Sequence, residues 1–600
     1  MGIPISNASD SKAPDSPVGA VLVAGGGIAG IQAALDLADS GFFVYLVEQG
    51  PAIGGVMAQL DKTFPTNDCS MCIMSPKLVE VGRHINIELV TLATIRDIQG
   101  QKGNFSVEIF QKARYVDLDK CVGCGACAEK CPKKVADVYN QGLDKRKAIY
   151  VPYAQAVPLK YVIDPIHCIK LTKDRCGICE KVCPAGAVNF QDTDKTLTLQ
   201  VGAVILAPGF EAYHPGDSPM YGWHQLKDVV TSLEFERLLS ASGPKKGHVT
   251  RLSDGAEPRH IAWLQCVGSR DINRCDNAHC SSVCCMYAIK QAIIAKEHDP
   301  SLACTIFYMD MRTHGKGFEA CFNEAADKHG IRFVRCRVHS VYQAPDKPCP
   351  TLDYFDDEAG AAAQTDADLV VLSVGMQIDA ETRAFAQKIG IDLTASGFCN
   401  THSFSPTTTS RDGIYVCGAF QGPKDIPQSV IEAGSAALCA GTAVSESRGT
   451  LVKTVETVPE RDVTGEVPRI GVFVCHCGIN ISGVVDVGAV RDFAAALPFV
   501  AFADDNLYSC SQDAQEIITG IIRDKGLNRV VVAACSPRTH EPLFQETLAQ
   551  AGLNKYLFEM VNIRNHNSWV HKDDPEAATK KAMESVAMAV AKVALFTPLK

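Results

Sequence analysis

The stretch Val21–Glu48 constrains the fold of this chain more than any other part of it. Val21–Ala24 has the apolar sequence of a short buried strand, and residues 25–30, GGGIAG, match the pattern G-x-G-x-x-G. Apolar residues then recur at helical spacing up to a second strand, Phe43–Val47, which is followed by Glu48. Such glycines let backbone N–H groups approach a pyrophosphate, and the acid hydrogen-bonds a ribose hydroxyl. The pattern predicts a dinucleotide-binding βαβ unit; the alternative is a βαβ unit that holds no ligand.

Three later segments repeat the combination of an apolar strand and a glycine-containing turn. They are residues 204–209, residues 368–375 and residues 413–419, and the last precedes a predicted small-residue helix, Ser429–Ala440. In flavoproteins a unit of this kind closes over the flavin, with its helix N-terminus directed at the carbonyl edge of the ring. The segments therefore predict a fold built from two Rossmann-type units.

The cysteine content is unusual, with 26 cysteines in 600 residues. Residues 1–17 are polar and lack the apolar core of a signal peptide, so we expect a disordered tail and a cytoplasmic, anaerobic setting. In that setting cysteines serve in metal ligation or redox chemistry rather than in structural disulfides. The net charge of −10 without a basic run argues against nucleic-acid binding, and no apolar stretch is long enough to span a bilayer.

Two cysteine runs inside residues 116–195 predict an inserted two-cluster ferredoxin domain. Each run ends in Cys-Pro, and the last cysteine of each crosses to the other cluster in this pattern. One [4Fe–4S] cluster is assigned to Cys121, Cys124, Cys127 and Cys183, and the other to Cys168, Cys176, Cys179 and Cys131. The spacing from Cys168 to Cys176 is longer than the pattern, which makes Cys168 the least certain ligand. Structural zinc is the alternative.

A second nucleotide-domain-like unit is predicted over residues 256–375, but it lacks a second glycine motif. Strand 261–265 is followed instead by five cysteines. We predict a third cluster in the place that a hydride donor would use, with Cys275 as a competing ligand and Cys266, Cys280, Cys284 and Cys285 as ligands. The alternative is a nicotinamide domain that happens to be rich in cysteine.

Lys290 lies shortly after these cysteines, on a predicted helix spanning Met286–Lys296. A cation that points toward the flavin ring stabilises the reduced, anionic flavin, and we predict this catalytic role for Lys290. The alternative is a solvated lysine, which is the commoner environment of that side chain.

A new series of apolar strand and helix patterns begins after a predicted polar linker at residues 448–468. Strands and helices alternate over residues 469–600, which predicts a small parallel α/β domain. Its cysteines follow strand ends, and the carboxyl ends of parallel strands meet at one edge of a sheet. A fourth cluster is therefore predicted on Cys475, Cys477, Cys510 and Cys535, with zinc or free thiols as alternatives.

A C-x-x-C pair, Cys69 and Cys72, comes shortly after the first nucleotide unit. Flavin disulfide reductases keep their reactive pair at a similar place, so one interpretation is a redox dithiol. The other is a pair of small packing groups, as free cysteines often are.

Together these motifs resemble the A subunit of heterodisulfide reductase, a family of iron–sulfur flavoproteins of anaerobic archaea and bacteria. The resemblance runs from about residue 18 to residue 600, and its most specific segments are residues 63–72 (TFPTNDCSMC), 266–285, 421–426 (QGPKDI), 475–478 (CHCG) and 534–537 (ACSP). It implies a thioredoxin-reductase-like FAD domain over 18–115 and 196–447, and supports the third cluster and a lysine near the flavin. The implied FAD contacts are Gly25, Gly27, Ile28, Ala29, Gly30, Glu48, Gly54, Gly55, Ala207, Pro208, Gly209, Gly418, Ala419, Gln421, Lys424 and Ile426.

Two departures from the family pattern are visible. The Cys475-type domain follows the flavin domain instead of preceding it, so we expect one half of a tandem polypeptide or a piece of a longer chain. In addition, Asn567 stands where the family often has a cysteine, which puts the ligand set of the fourth cluster in question.

The resemblance implies an oxidoreductase subunit for electron transfer by flavin-based bifurcation, between a low-potential ferredoxin and a disulfide or other high-potential acceptor. Its implied partners are ferredoxin and disulfide-reducing and hydrogenase- or formate-dehydrogenase-type subunits of an oligomeric complex. The alternatives are a non-bifurcating relay to a membrane quinone partner, an NAD(P)H-dependent flavin disulfide reductase using Cys69 and Cys72, and an assembly scaffold.

Overall fold

The computed structural model describes residues 17–217, 219–454 and 458–600. The predicted disordered tail lies outside this part except for its last residue, and so do residues 455–457 of the predicted linker. None of the helices in these ranges is long and apolar enough to cross a membrane.

The first nucleotide-binding unit is built on a five-stranded parallel sheet. Because both faces of this sheet are covered, its strands are continuous apolar runs. Val21 and Val23 face a helical layer, whereas Leu22 faces a layer of antiparallel strands. In spatial order the strands are Ile414–Val416, Ala203–Leu206, Ala20–Ala24, Phe43–Glu48 and Ile87–Thr91, and the helices around them are Ile28–Asp39, Ser70–Arg83, Ala380–Lys388 and Ile426–Ala443.

The predicted insert leaves the first unit from the antiparallel layer. That layer contains three strands, Ala93–Gln101, Asn104–Gln111 and Lys195–Val201, and the last two pair directly. Residues 112–194 therefore leave and return at neighbouring positions, which lets the insert form its own core without disturbing the sheet. Its elements are short: strands Lys134–Ala136, Lys145–Lys147, Ile149–Tyr150 and Val162–Ile163, and helices Ala126–Lys130, Ile169–Lys173 and Ile178–Lys181.

The second unit is another five-stranded parallel sheet, and it begins before residue 256, where we predicted its start. Its edge strand Val229–Thr231 and the capped helix Ser232–Leu239 come from the segment that precedes the predicted boundary. The remaining strands are Leu369–Val374, His260–Val267, Ala303–Tyr308 and Arg332–Arg335, the helices are Ile272–Cys275, Cys284–His298 and Phe318–Asp327, and an antiparallel sheet of Val338–Gln343, Pro350–Asp356 and Ala361–Asp366 lies beside them.

The C-terminal residues form a four-stranded parallel sheet, as the periodicity predicts. Its strands in spatial order are Val500–Asn506, Ile470–Cys475, Arg529–Ala534 and Phe558–Asn562, and its helices are Val487–Ala495, Gln512–Asp524, Pro537–Gln550 and Pro575–Val593. The domain contacts the first unit along the helix Ser70–Arg83. Ser75 Oγ donates to the Cys510 carbonyl at 3.2 Å, and Arg83 Nη1 lies 3.4 Å from Thr547 Oγ1.

Candidate functional site

A cavity of about 280 Å³ opens between the two nucleotide-domain units. The glycine-rich loop forms one wall, and the helices Ser232–Leu239 and Cys284–His298 contribute side chains from the second unit. Of the predicted FAD contacts, those that line it are Gly25, Gly27, Ile28, Ala29, Glu48, Gly55, Ala207, Pro208, Gly209, Gly418, Ala419, Lys424 and Ile426. A Cβ at Gly27 or Gly209 would meet no protein atom within 4 Å, so the backbone is open to a ligand there.

Three predicted FAD contacts do not line this cavity. A Cβ on Gly30 would lie 1.8 Å from the Gly25 carbonyl oxygen, so this glycine allows the helix to pack against the turn. Gly54 donates its N–H to the Gly26 carbonyl at 2.7 Å and supports the loop from behind. Gln421 bonds Thr401 and Lys424 instead of facing the cavity. These three residues stay predicted FAD contacts, and in the structure they lie behind the cavity wall and support its shape.

Glu48 holds the glycine-rich loop in place. Its two carboxylate oxygens accept hydrogen bonds from the N–H groups of Gly26 at 2.8 Å and Gly50 at 2.6 Å. Burial raises the pKa of Glu48, and these amides oppose the rise because they stabilise the carboxylate. The acid predicted to bind a ribose therefore lines the cavity already oriented by the backbone.

The N-terminus of the helix Ile426–Ala443, which begins three residues before the predicted start at Ser429, lies at the cavity. The Asp425 side chain caps it by accepting from the N–H of Gln428 at 2.9 Å, and Ile426 lines the cavity. Lys424 forms a buried ion pair with Glu432 at the same end. A helix N-terminus and a lysine together provide a favourable environment for negative charge on a bound ring.

Lys290 lines the cavity and is only 1% exposed, which excludes the alternative of a solvated lysine. Its ammonium pairs with Glu236 Oε1 at 2.5 Å and donates to the Lys62 carbonyl at 2.9 Å. Glu236 also accepts from Gln291 at 2.7 Å and from the Asp61 N–H at 3.0 Å. The structure thus adds a partner that the sequence analysis missed, since nothing in the local pattern of the helix Ser232–Leu239 marks Glu236 as functional.

Both ferredoxin-type thiol sets come together in the insert, at the edge of its core. Cys124 and Cys176 are exposed, whereas the other six cysteines lie in or against the core. Burial, followed by the neighbouring thiols Cys121, Cys183 and Cys124, raises the pKa of Cys127 to about 12. Burial, with Cys168 and Cys131 nearby, raises the pKa of Cys179 to about 11. Cys168, the least certain ligand from its spacing, lines a small cavity with the other three of its set, Cys131, Cys176 and Cys179.

The third thiol set lies where the strand His260–Val267 ends and the helix Cys284–His298 begins. Cys266 has a positive φ of 62°, and Cys284 and Cys285 start the helix. Burial, with Cys266 and Cys280 nearby, raises the pKa of Cys285 to about 11.

The competing ligand of the third set, Cys275, has different surroundings. Its Sγ is 3.1 Å from the Asp271 carbonyl oxygen, and the charges acting on it are those of Asp271, Arg337 and Asp276. The geometry therefore favours Cys266, Cys280, Cys284 and Cys285 as the set.

The fourth thiol set lies at the carboxyl edge of the C-terminal sheet. Cys475, Cys477, Cys510 and Cys535 line a cleft of about 60 Å³ between this domain and the first unit. Burial and the nearby Cys475 raise the pKa of Cys510 to about 11, and the Arg564 guanidinium opposes the rise. Asn567 does not line the cleft; it is fully buried, and its amide is 3.4 Å from Ser585 Oγ.

Cys69 and Cys72 form a disulfide and line the same cleft from the opposite side. They do not contribute to the wall of the flavin cavity. Arg564 Nη1 reaches across to Cys72 Sγ at 3.0 Å. The pair therefore belongs to the interdomain cleft and is not a pair of isolated packing thiols.

The donor sets suit the implied cofactors. The cavity combines backbone amides, an acidic residue and a helix N-terminus, which suits a dinucleotide. Each thiol set offers four sulfurs, the ligand number of a [4Fe–4S] cluster. Within the described ranges, no group of three or more His, Cys, Asp or Glu side chains is arranged to hold a single metal ion.

Three family models match the chain. The model described as "FAD dependent oxidoreductase" matches residues 20–71, "4Fe-4S dicluster domain" matches residues 120–187, and "Pyridine nucleotide-disulphide oxidoreductase" matches residues 296–437. The descriptions of these models confirm the predicted cofactors, FAD and [4Fe–4S]. The order of the matches along the chain confirms a flavin fold interrupted by a ferredoxin domain.

Curated relatives are similar over most of this chain. The iron–sulfur A subunit of the CoB–CoM heterodisulfide reductase of Methanocaldococcus jannaschii is 43% identical over 74% of this chain and 67% of that protein. The A subunit of the H2:CoB-CoM heterodisulfide,ferredoxin reductase of Methanothermobacter marburgensis is 43% identical over 74% and 66%. A protein of Archaeoglobus profundus, described as similar to the heterodisulfide reductase A subunit, is 41% identical over 74% and 69%. The match spans about two thirds of the length of these relatives.

Among solved structures, a thioredoxin reductase of T. acidophilum matches 71% of this chain and 98% of its own, with 15% identity and a TM-score of 0.40. A thioredoxin reductase of Lactococcus lactis matches 71% and 99%, with 14% identity and a TM-score of 0.40. The identity and coverage of the curated relatives, with the flavin cavity and the ferredoxin insert, confirm the resemblance seen in the motifs. The chain is an oxidoreductase of the family of heterodisulfide reductase A subunits, an iron–sulfur flavoprotein for electron transfer.

Proposed function

We propose that this chain is the subunit in which a heterodisulfide-reductase-like complex divides an electron pair between two acceptors. One electron goes to a low-potential ferredoxin, and the other goes to a disulfide or another high-potential acceptor on a partner subunit. The names of the relatives support this, because one belongs to a heterodisulfide,ferredoxin reductase and another is the iron–sulfur component of a heterodisulfide reductase. Disulfide-reducing and hydrogenase- or formate-dehydrogenase-type subunits are the partners we propose for an oligomeric complex.

The observation that best supports the proposal is a single helix that connects the third thiol set with the flavin cavity. Cys284–His298 begins with two thiols of the third set and then places Tyr287 and Lys290 in the wall of the flavin cavity. Cys284 Sγ lies 3.8 Å from the Val374 carbonyl, to which Tyr287 Oη donates at 2.8 Å. A one-electron carrier on this thiol set would thus lie about one helical turn from the residues that line the cavity, in the place where pyridine-nucleotide enzymes hold a hydride donor.

FAD, when bound, accepts electrons as a pair and releases them singly, whereas each iron–sulfur cluster carries one. The chain's own residues prepare the site for negative charge on the ring. Lys290 is held as a buried cation by Glu236 and the Lys62 carbonyl, and Ile426 marks a helix N-terminus at the cavity. Buried positive charge in a low-dielectric cavity stabilises an anion more strongly than the same charge in water.

The four thiol sets offer routes away from the cavity. The third set adjoins the cavity. The fourth set lies in the interdomain cleft, and Leu60 separates it from the cavity because this residue lines both spaces. The other two sets lie in the insert. We propose that Cys266, Cys280, Cys284 and Cys285 hold the cluster next to FAD.

Metal and flavin analysis of anaerobically purified protein tests the cofactor content. Four clusters require about sixteen irons and as many sulfides per chain, with one FAD. EPR of the reduced protein then counts the clusters independently. About eight irons would remove the third and fourth sets from the proposal.

Redox titration followed through the flavin absorbance tests the division of the pair. We expect the flavin to bleach in a single two-electron transition, because bifurcation needs the second electron to leave at a lower potential than the first. Two separate one-electron transitions would instead support a non-bifurcating relay to a quinone partner. Rapid bleaching by NADH would support an NAD(P)H-dependent disulfide reductase.

A further inference from the structure

The Cys69–Cys72 disulfide faces the fourth thiol set and not the flavin. Cys69 caps the helix Ser70–Arg83, with its sulfur 3.2 Å from the N–H of Cys72. Both half-buried sulfurs line the interdomain cleft, whose other wall carries Cys475, Cys477, Cys510 and Cys535. Neither lines the flavin cavity, so the disulfide lies on the cleft side of Leu60, which lines both spaces.

Arg564 joins the two walls of the cleft. It is a buried residue that opens a π-helical turn, Arg564–Ser568, and its guanidinium stacks on Trp569 at 4.7 Å. Nη1 points at Cys72 Sγ from 3.0 Å. A cation held beside a sulfur stabilises the thiolate that forms when a disulfide is reduced, and π-turns often mark functional positions.

A short backbone path connects this disulfide with the flavin cavity. Cys69 pairs with Lys62 in an isolated antiparallel bridge, and Lys62 lines the cavity and accepts from Lys290. Leu60 lines the cavity on one side and the cleft on the other. The disulfide therefore lies beside the route that connects the flavin cavity with the fourth thiol set.

We propose that Cys69 and Cys72 form a redox-active disulfide that is reduced by an iron–sulfur cluster on Cys475, Cys477, Cys510 and Cys535. This inference rests on the proposed function, which places a one-electron carrier on those thiols. The Cys69 Sγ–Cys72 Sγ bond breaks, two electrons arrive singly from the reduced cluster, and two protons from solvent complete two thiols. The chain would then store an electron pair away from the flavin, and Arg564 would stabilise the Cys72 thiolate that forms as the bond breaks, before that sulfur is protonated.

Differential alkylation of the anaerobic holoprotein tests the disulfide itself. One sample of oxidised protein is unfolded and alkylated without reductant, so that the first reagent labels free thiols. Its disulfides are then reduced with a phosphine and labelled with a second reagent. A parallel sample is reduced with dithionite before it is unfolded and labelled in the same way. We expect Cys69 and Cys72 to carry the second label in the oxidised sample and the first label after dithionite. Free thiols at both positions in the oxidised sample, or a disulfide that survives dithionite, would overturn the proposal.

Two variants test the route of the electrons. Cys69→Ser/Cys72→Ser should take up about two electrons fewer per chain in a reductive titration, with iron and FAD unchanged. A loss of about four irons would instead make these thiols cluster ligands and refute the disulfide. Cys535→Ser should lose about four irons and slow the reduction of Cys69–Cys72 by dithionite at least tenfold, while the phosphine still reduces it. Unchanged dithionite reduction in a variant that has lost its irons would overturn the proposed electron donor.

The outcomes separate this inference from the proposed function. A Cys535→Ser variant that keeps the full iron content of the wild type would refute the fourth cluster whatever the labelling shows. Wild-type protein with about sixteen irons but no labelled disulfide would leave the proposed function intact and refute the inference. Cys304→Ser, which changes a buried thiol of the second sheet, is the matched control and should alter neither result.

Discussion

The buried pair Lys290–Glu236 allows the sharpest test of the site, because both side chains are at most 2% exposed. Removing one partner of such a pair leaves an uncompensated charge and costs about 3–5 kcal/mol of unfolding free energy. In Lys290→Met the carboxylate keeps two donors, Gln291 at 2.7 Å and the Asp61 N–H at 3.0 Å, so we expect a loss of about 3 kcal/mol. In Glu236→Gln the ammonium keeps only the Lys62 carbonyl at 2.9 Å and the amide oxygen, so we expect a loss of about 4–5 kcal/mol.

The double variant decides whether the two charges stabilise each other. Lys290→Met/Glu236→Gln buries no charge, and replacing a whole buried ion pair is often close to neutral, so we expect a loss of about 2 kcal/mol or less. The assay is an anaerobic urea titration followed by flavin release and by the fluorescence of Trp263, which is fully buried in the same unit. Lys296→Met, on the same helix with its ammonium on two backbone carbonyls, is the control and should lose about 1 kcal/mol. A double variant as unstable as the sum of the single variants would refute the coupling.

Three further predictions concern the thiols, the loop and a buried acid. Cys280→Ser should remove about four irons and leave FAD bound, whereas Cys275→Ser should keep all iron; the reverse result in iron analysis would exchange their roles. Gly30→Ala forces a Cβ to 1.8 Å from a backbone oxygen and should lower the flavin-to-protein absorbance ratio, while Gly520→Ala, whose Cβ meets nothing within 4 Å, should not. Burial and then Glu236 raise the pKa of Asp61 from 3.8 to about 6, so the contribution of Asp61 to stability should fall as pH rises from about 4 to about 6. Asp61→Asn should therefore be more stable than wild type at pH 7 by up to about 3 kcal/mol and equal to it near pH 4, and a constant difference in urea titrations at the two pH values would contradict this.

The sheets were predictable because each has a local pattern. The strand Phe43–Glu48 is one residue longer than the predicted strand Phe43–Val47. The second unit was placed too late, since Val229–Thr231 is a three-residue strand at the edge of its sheet. Three residues are too few to show the alternation of apolar and polar side chains that predicts a strand. This segment is a strand because it pairs with Leu369–Val374, which lies far along the chain.

For the thiol sets too, sequence spacing predicted some features, and others became visible only from contacts in the folded chain. Spacing placed Cys121 and Cys124 in one loop, because a cluster's ligands along a tight turn follow a fixed pattern. Spacing alone did not separate Cys275 from Cys280, and the contact of Cys275 with the Asp271 carbonyl favours Cys280 as the ligand. The FAD contacts divide similarly: Gly30 belongs to the motif, but its role is to let the helix approach the turn.

By itself the sequence determined the βαβ units, the ferredoxin insert, the C-terminal α/β domain and the family. Each of them has motifs or apolar patterns formed by residues that lie close together along the chain. Only the tertiary structure decided that Glu236 holds Lys290, that Arg564 reaches Cys72, and that the disulfide faces the C-terminal thiols. Arg564 and Cys72 are 492 positions apart, and the backbone of Lys62 meets Lys290 over 228. No local period encodes such contacts; they arise when buried charges and thiols from separate units need partners as the units pack against one another.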